Sequence, residues 1–192
     1  MTSLTVISVM VLASASMSQT AQTRPPAATR PAGLSNPFFA LDTATKDAKH
    51  QSYESQAKML KELGYAGWGP SARENVPEML KALDNHGLKM FAIYVMTNVD
   101  PDQPKYDPKV KEAIAALKGR DTFVWLCMPG TKYKPESQEG DERAVAIIDE
   151  IAEMAEQAGV RVALYPHVSF YLARVEDAVR LAGKVRHRNV GI

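Results

Sequence analysis

The alternation of short apolar runs with amphipathic helical patterns is the feature that most constrains the fold of this chain. Predicted strands begin near Phe38, Tyr65, Lys89, Thr122, Val160 and Asn189. Each interval of 24 to 38 residues holds one helical pattern, which is the rhythm of parallel βαβ units. A closed (β/α)8 barrel takes roughly 250 residues, whereas about five and a half units occupy these 192 residues. The pattern therefore predicts an α/β fold with a parallel (β/α) repeat that does not complete a barrel.

Start and stop signals bound the predicted elements. The first helical pattern runs from Asp47 to Leu63. Two further helix starts are predicted at Asn75-Val76-Pro77 and Asp107-Pro108, where a capping residue precedes an early proline. The predicted helix stops are Gly64, Gly87, Gly119 and Gly159. Met90–Val95 and Thr122–Met128 are near-continuous apolar runs, which are typical of parallel strands covered on both faces.

Residues 1–16 have features of a signal peptide. Leu4–Ala13 is an unbroken apolar run of h-region length, too short to span a bilayer, and Ala13-Ser14-Ala15 offers a small-x-small cleavage pattern. The three residues before the run carry no Lys or Arg. Residues 17–35 are rich in Ser, Thr, Gln, Ala and Pro, and predict a disordered linker. We therefore expect export to the periplasm, with a cytoplasmic location as the alternative if this segment is not a signal peptide.

The composition excludes several classes of partner and site. A balance of 23 basic and 22 acidic residues gives no electrostatic footprint for nucleic acid, so no nucleic-acid partner is expected. No membrane span is predicted either, because the N-terminal apolar run is too short. Cys127 is the only cysteine, which excludes an intramolecular disulfide and a thiolate-rich metal site.

The region around the fifth predicted strand resembles a known family. Val162–His167 (VALYPH) is followed by a helix with Glu176-Asp177-Ala178 and then by Asn189-Val190-Gly191. This succession is similar to that of the sugar phosphate isomerase/epimerase family, the xylose-isomerase-like TIM barrels. Gly64–Gly67 and Gly87-Leu88-Lys89, before strands two and three, also resemble that family. The resemblance covers residues 36–192 and implies an incomplete TIM barrel.

The resemblance also implies a function and a cofactor. Family members are metal-dependent sugar or sugar phosphate isomerases and epimerases that act by proton transfer next to a carbonyl. Their divalent metal (Mn, Mg or Zn) is held at the barrel mouth by a Glu ending strand five and by residues of strands six to eight. Tyr165 stands at the strand-five position and the other positions would follow Ile192, so we expect no metal site in this chain alone.

Two other interpretations fit the same residues. One is a catalytically inactive, truncated half-barrel, or a pseudoenzyme that binds a small sugar or sugar derivative weakly. The other is an open, doubly wound sheet with a binding role, which also suits alternating βα units but lacks a phosphate-binding fingerprint here.

Candidate site residues are those expected where strands end and βα loops begin, because catalytic groups of parallel barrels lie there. His167 is the catalytic candidate, since it follows strand five and an imidazole can transfer a proton near neutral pH or bind a metal. A loop histidine bonded to a backbone carbonyl is the structural alternative. The candidates for sugar binding are Asp42, Trp68, Tyr94, Lys132 and Tyr165.

Structural alternatives exist for the sugar-binding candidates too. Asp42 could accept hydrogen bonds from sugar hydroxyls, or cap the first helix. Trp68 and Tyr94 could stack on a pyranose face, although aromatic residues near strand ends are often core. Lys132, in the long loop Pro129–Gly140, could meet a phosphate or carboxylate, but a solvated loop also explains it. Among the strand-end positions, only Asp42 and His167 could ligate a metal, and two ligands from distant strands do not make a metal site.

An incomplete barrel exposes two strand edges. They are predicted at Phe38–Leu41 and Asn189–Ile192. Unpaired edges and apolar faces tend to pair with other chains, so we expect edge-to-edge self-association of the isolated chain.

Overall fold

Strands and helices alternate throughout the part of the chain that the computed structural model describes, residues 36–41, 45–72 and 74–192. Their order is β1 (Phe39–Leu41), α1 (Tyr53–Glu62), β2 (Gly67–Gly69), α2 (Val76–Asn85), β3 (Lys89–Met90), β4 (Ala92–Met96), α3 (Lys109–Ala115), β5 (Phe123–Cys127), α4 (Asp141–Ala158), β6 (Arg161–Leu164), α5 (Val175–Ala182) and β7 (Val190–Gly191). The predicted signal peptide and linker lie outside the described residues, so they and the predicted export stay predictions.

All strand pairs are parallel. The pairing order is β1-β2-β3 in one sheet and β4-β5-β6-β7 in the other. Phe91, between β3 and β4, joins the two sheets: its N–H donates to the Trp68 carbonyl (2.8 Å) and its carbonyl accepts from the Phe123 N–H (3.2 Å). Within the described residues, β1 and β7 each pair on one side, so the strands form an open parallel array. This confirms the predicted incomplete (β/α) barrel.

The two faces of the array are covered differently, because successive side chains of a strand point to opposite faces. On the helix-covered face of β5 and β6 lie Val124, Leu126, Val162 and Leu164, all at most 2% exposed. They belong to one core with the apolar stripes of the helices. On the inner face lie their half-buried neighbours Phe123, Trp125, Ala163 and Tyr165. The inner face is therefore aromatic and open to ligands.

The helix boundaries follow from local capping. The predicted stops at Gly64, Gly87 and Gly159 are confirmed, since each follows its helix with a left-handed φ between 60° and 82°. The third helix, α3, ends earlier than predicted, at Ala115 rather than at Gly119. The first helix begins at Tyr53 rather than at Asp47 because Ser52 and Ser55 form a capping box there. The Asp47 carboxylate instead accepts hydrogen bonds from the N–H groups of Lys49 and His50, which makes a turn.

Ion pairs join successive βα units. Arg120 donates two hydrogen bonds to Asp84 at 2.9 and 2.7 Å. Arg186 bonds Asp149 of α4 at 3.0 Å. Such partly exposed pairs contribute little free energy each, about 0–1 kcal/mol. Within the described residues, no helix is long and apolar enough to cross a membrane.

Candidate functional site

Three aromatic rings cluster on the inner face of neighbouring strands: Tyr94 and Trp125 lie in the middle of β4 and β5, and Tyr165 follows the end of β6. The Trp125 and Tyr165 rings stack, with centroids 5.5 Å apart and planes at 16°. Tyr94 meets Tyr165 edge-on, at 5.7 Å and 76°. Tyr94 and Trp125 are direct partners in the β4–β5 register, so the pleat places both rings on the same face. The cluster forms a flat aromatic wall.

His167 extends this wall toward the mouth of the open barrel. It comes two residues after Tyr165, and the two rings lie 6.1 Å apart at 66°. The other side of the imidazole stacks on Phe170 at 4.3 Å and 28°. The half-buried ring thus lies between two aromatic side chains, with a limited choice of orientations.

The hydrogen bond of the imidazole defines its tautomer. Nδ1 of His167 lies 2.9 Å from the carbonyl oxygen of Val168. A carbonyl only accepts hydrogen bonds, so Nδ1 carries a proton, and in the neutral ring Nε2 keeps its lone pair. The bonded loop histidine expected as a structural alternative is therefore present, yet this bond leaves Nε2 available to accept a proton.

A cleft of about 530 Å³ runs beside the stacked rings. Trp125, Tyr165 and Pro166 line it toward the mouth, and Arg161 and Arg188 line it toward the opposite end of the strands. Ligand pockets for small molecules typically measure about 300–1,000 Å³, so the cleft has room for a monosaccharide.

The remaining sugar-binding candidates lie apart from this wall. Trp68 is 2% exposed and borders a small cavity with Tyr53 and Met79 from α1 and α2. The structure thus places Trp68 in the core, on the helix-covered side, and its role in binding stays a prediction. Lys132 is exposed in the loop after β5. Asp42 lies outside the described residues.

A buried carboxylate organises the loop that carries Lys132. Asp100, 4% exposed, accepts hydrogen bonds from the N–H (2.8 Å) and hydroxyl (2.9 Å) of Thr131 and from the N–H of Lys132 (3.0 Å). Burial acts to raise the pKa of Asp100, but these donors outweigh it and hold the pKa below its usual value. A Cβ on Gly130 would lie 2.3 Å from Val99, so only glycine fits this close approach.

Sequence reasoning missed Trp125, Asp100 and the two aromatic residues Phe170 and Tyr171. The alternation within the run Thr122–Met128 was a signal that could have placed Trp125 on the inner face. No local pattern marks the other three, because their partners are distant in sequence or belong to an irregular turn.

The described side chains do not fit a divalent-metal centre by themselves. Within residues 36–41, 45–72 and 74–192, no three His, Cys, Asp or Glu side chains lie close enough to hold one ion. The position that ends β6 carries the phenol of Tyr165, stacked on Trp125. Carboxylates and imidazoles are the usual protein ligands of Mg, Mn and Zn, so the phenol of Tyr165 is a poor replacement for such a ligand.

A family model described as xylose isomerase-like TIM barrel matches residues 57–192. Similar solved structures include 3-keto-D-glucoside 4-epimerase from E. coli, with 14% identity, a TM-score of 0.63, and coverage of 81% of this chain and 68% of that chain. D-psicose 3-epimerase from Clostridium cellulolyticum, solved with D-tagatose, has 17% identity, a TM-score of 0.57, and coverage of 81% and 62%.

A third similar structure is the IolI protein with a bound zinc atom, with 14% identity, a TM-score of 0.61, and coverage of 82% of this chain and 62% of that chain. A comparison with curated proteins gave no match. The chain spans between 62% and 68% of the length of these three solved structures. At such low identity the likeness establishes the fold.

Proposed function

Because this chain belongs to the xylose isomerase-like TIM barrel family, we propose that it binds a sugar on the Trp125–Tyr165 wall and transfers a proton through His167. The protein is then a sugar isomerase or epimerase. The observation that carries the proposal is the stacked aromatic pair, which continues directly into an imidazole with a free Nε2.

Sugar binding follows from the shape and chemistry of the wall. One face of a pyranose or an extended ketose presents C–H groups, which pack on flat aromatic rings, while its hydroxyls require hydrogen-bond partners. The Tyr165 and Tyr94 hydroxyls and Nε2 of His167 belong to side chains within one cluster. The wall therefore suits a ring or chain of monosaccharide size.

Proton transfer follows from the tautomer. Nε2 of His167 takes the proton from the carbon next to the sugar carbonyl, and the C–H electron pair forms the C=C bond of an enediolate as the carbonyl oxygen becomes negative. Epimerisation needs a proton delivered to the opposite face of that carbon by a donor other than His167, because Nε2 reaches one face only. Isomerisation follows when Nε2 delivers its proton to the adjacent carbon and the neighbouring hydroxyl proton passes to the former carbonyl oxygen. Nδ1–H, bonded to the Val168 carbonyl, keeps the ring in the orientation that this transfer needs.

A divalent metal supplies carbonyl polarisation in reactions of this kind. The proposal includes such metal dependence for the whole protein, as the zinc-bound IolI structure suggests for the family. Trp125 and Tyr165 would stack on the sugar and His167 would move the carbon-bound proton, while the metal would polarise the carbonyl. A carbohydrate-binding protein without turnover is the second candidate, because the described residues contain no cluster of three metal-ligating side chains.

The two tryptophans of the chain allow a direct test of sugar binding. Trp68→Phe leaves Trp125 as the only indole, and Trp125→Phe leaves Trp68. Titration of D-tagatose and related ketohexoses should change the fluorescence of Trp68→Phe and leave that of Trp125→Phe constant. An unchanged signal in Trp68→Phe, with no heat of binding in calorimetry, would refute binding at the wall.

A turnover assay separates the enzyme from the binding protein. Ketohexoses and 3-keto-glycosides are incubated with the protein, with and without Mn²⁺, Mg²⁺ or Zn²⁺, and exchange of the carbon-bound hydrogen with D₂O is followed by NMR. The enzyme exchanges it and His167→Gln does not. Binding without exchange under any metal condition favours the second candidate.

A further inference from the structure

We propose that Tyr171 and Asp141 are positioning residues for His167, because they anchor the turn that carries its imidazole to helices α4 and α5. The inference rests on the proposed role of His167. Neither residue touches the aromatic wall itself, so both act through the backbone of residues 167–172.

The His167 turn, residues 167–172, is closed by its own backbone. The His167 N–H donates to the Leu172 carbonyl at 3.0 Å, and the Phe170 N–H donates to the His167 carbonyl at 3.1 Å. The Leu172 N–H donates to the Met128 carbonyl, just past the end of β5, at 3.1 Å. The turn is therefore a tight loop attached at one end to the sheet.

Tyr171 fixes the other side of this turn. Its side chain is fully buried, and its hydroxyl lies 2.6 Å from Oδ1 of Asp141 and 2.8 Å from the Ser137 carbonyl oxygen. The hydroxyl has one proton to donate, and the shorter contact to an ionised carboxylate makes Asp141 the stronger acceptor. Burial and the Asp141 carboxylate raise the pKa of Tyr171, so this proton stays in place at neutral pH.

Asp141 is itself held by Arg180 of α5 and by Lys184, which follows that helix. Nε of Arg180 lies 3.0 Å and Nζ of Lys184 lies 2.7 Å from its Oδ2. Burial acts to raise the pKa of Asp141, but Lys184, Tyr171 and Arg180 outweigh it and hold the pKa below the usual value. The anchor of the turn is thus a charged network between two packed helices, which has little freedom to move.

The turn needs such an anchor because its backbone is strained. Ser169 has a φ of 69°, in the left-handed region that non-glycine residues rarely adopt. Strain of this kind persists only where the surroundings enforce it. Its two neighbours in the turn, Val168 and Phe170, provide the carbonyl that binds Nδ1 and the ring that stacks on the imidazole. A relaxed turn would lose both contacts.

The test is an NMR measurement of the His167 tautomer in the full chain. Long-range ¹H–¹⁵N spectra distinguish imidazoles protonated at Nδ1 from those protonated at Nε2, and His167→Gln assigns the signals among the four histidines. At a pH where the ring is neutral, we expect the Nδ1–H form to dominate in the wild type. Tyr171→Phe should convert it to a mixture in which Nε2–H exceeds Nδ1–H, as for a histidine side chain free in water.

Tyr106→Phe is the matched control. The Tyr106 hydroxyl also donates to a carboxylate of α4, Glu150, at 3.1 Å, but it lies away from the His167 turn. This variant should lose stability without changing the His167 signals. If Tyr171→Phe is unfolded at the measuring temperature, Asp141→Asn replaces it. The neutral amide no longer pairs with Arg180 and Lys184 and accepts the Tyr171 proton more weakly, so the tautomer should shift in the same direction.

Wild-type signals already in an even mixture would overturn the proposal, and so would unchanged His167 signals in folded Tyr171→Phe or Asp141→Asn. The readout needs no sugar turnover. A wild type that binds no sugar but shows the expected tautomer shift would refute the proposed function and leave the positioning role in place.

Discussion

Asp100 holds Thr131 by both its backbone N–H and its hydroxyl, although the two residues are 31 positions apart. The contact joins the βα loop after β4 to the loop after β5. The same two loops are also joined by the Val99 N–H, which donates to the Pro129 carbonyl at 3.1 Å. The mouth of the open barrel is therefore built from loops that continue the parallel pairing of the strands beyond their ends.

Asp100→Ala should lower the free energy of unfolding by about 1–3 kcal/mol, because it removes the buried carboxylate that accepts hydrogen bonds from Thr131 and Lys132. Denaturant titration measures the change. Asp102→Ala, at an exposed position two residues away, should alter it by less than about 0.5 kcal/mol. Equal effects of the two substitutions would show that the Asp100 contacts do not stabilise the loop.

Alanine substitutions of the two glycines of β2 test how closely β2 approaches its neighbouring strands β1 and β3. A Cβ on Gly67 would lie 1.8 Å from the Lys89 carbonyl oxygen, which is backbone, whereas a Cβ on Gly69 would meet the Phe39 ring edge at 3.3 Å. Gly67→Ala should therefore destabilise by more than about 3 kcal/mol, since the β2–β3 pairing must shift. Gly69→Ala should cost about 1 kcal/mol or less, since a side chain can move. Thermal unfolding of both variants decides, and similar melting temperatures would contradict the predicted clash.

Acid should destabilise the protein through the carboxylates of the α4–α5 network. In the folded state Asp141 and Asp177 have pKa values below their usual value, because hydrogen bonds from Lys184, Tyr171 and the arginines outweigh burial. A carboxyl group whose pKa is lower in the folded state than in the unfolded state stabilises the folded protein at pH values above the unfolded pKa of about 3.9. This stabilisation is lost as the pH falls through the folded pKa. The free energy of unfolding should thus be level near neutral pH and fall below about pH 4.

Asp141→Asn distinguishes the contribution of this network to the acid sensitivity from that of the other carboxylates. It should flatten the acid limb of the stability curve, measured by denaturant titration between about pH 6 and pH 3. Asp84→Asn, which removes an exposed carboxylate paired with Arg120, should flatten it less because solvent screens that pair. If both variants flatten the acid limb equally, the α4–α5 network is not the main source of the acid sensitivity.

The order of the fold could be predicted from sequence because its signals are local. Apolar runs such as Met90–Val95 identify strands covered by helices. A glycine such as Gly159 marks the end of a helix, because it can adopt the left-handed backbone conformation found there. The boundary at Tyr53 was predicted less well, because the capping box of Ser52 and Ser55 lies inside a stretch whose helical pattern extends further toward the N-terminus.

The candidate site could be predicted in part. Tyr94, Tyr165 and His167 were expected at strand ends, and the structure brings them together. Trp68 lies on the other face. The sequence did not indicate this, because a three-residue strand with glycine on both sides of Trp68 has no alternation that shows which way the side chain points. The anchoring of the His167 turn was beyond sequence reasoning, because the Tyr171–Asp141 contact spans 30 residues.

The two open strand edges predict self-association. Among the described residues, β1 pairs only with β2 and β7 only with β6. Apolar side chains are exposed at both edges: Phe38 by 65%, Leu41 by 53% and Ile192 by 57%. Edge strands with free backbone groups and apolar side chains pair with other chains, and a lysine on the edge opposes such pairing.

We therefore expect the isolated chain to form dimers or larger species as its concentration rises, measured by size-exclusion chromatography with light scattering. Leu41→Lys, on β1, should shift the equilibrium toward monomer because a charged side chain would be buried by a neighbouring strand. Val179→Lys is the control, since Val179 is similarly exposed, at 56%, but lies on α5. A wild type that stays monomeric at every concentration contradicts edge pairing, and an equal effect of both lysines would point to general apolar aggregation instead.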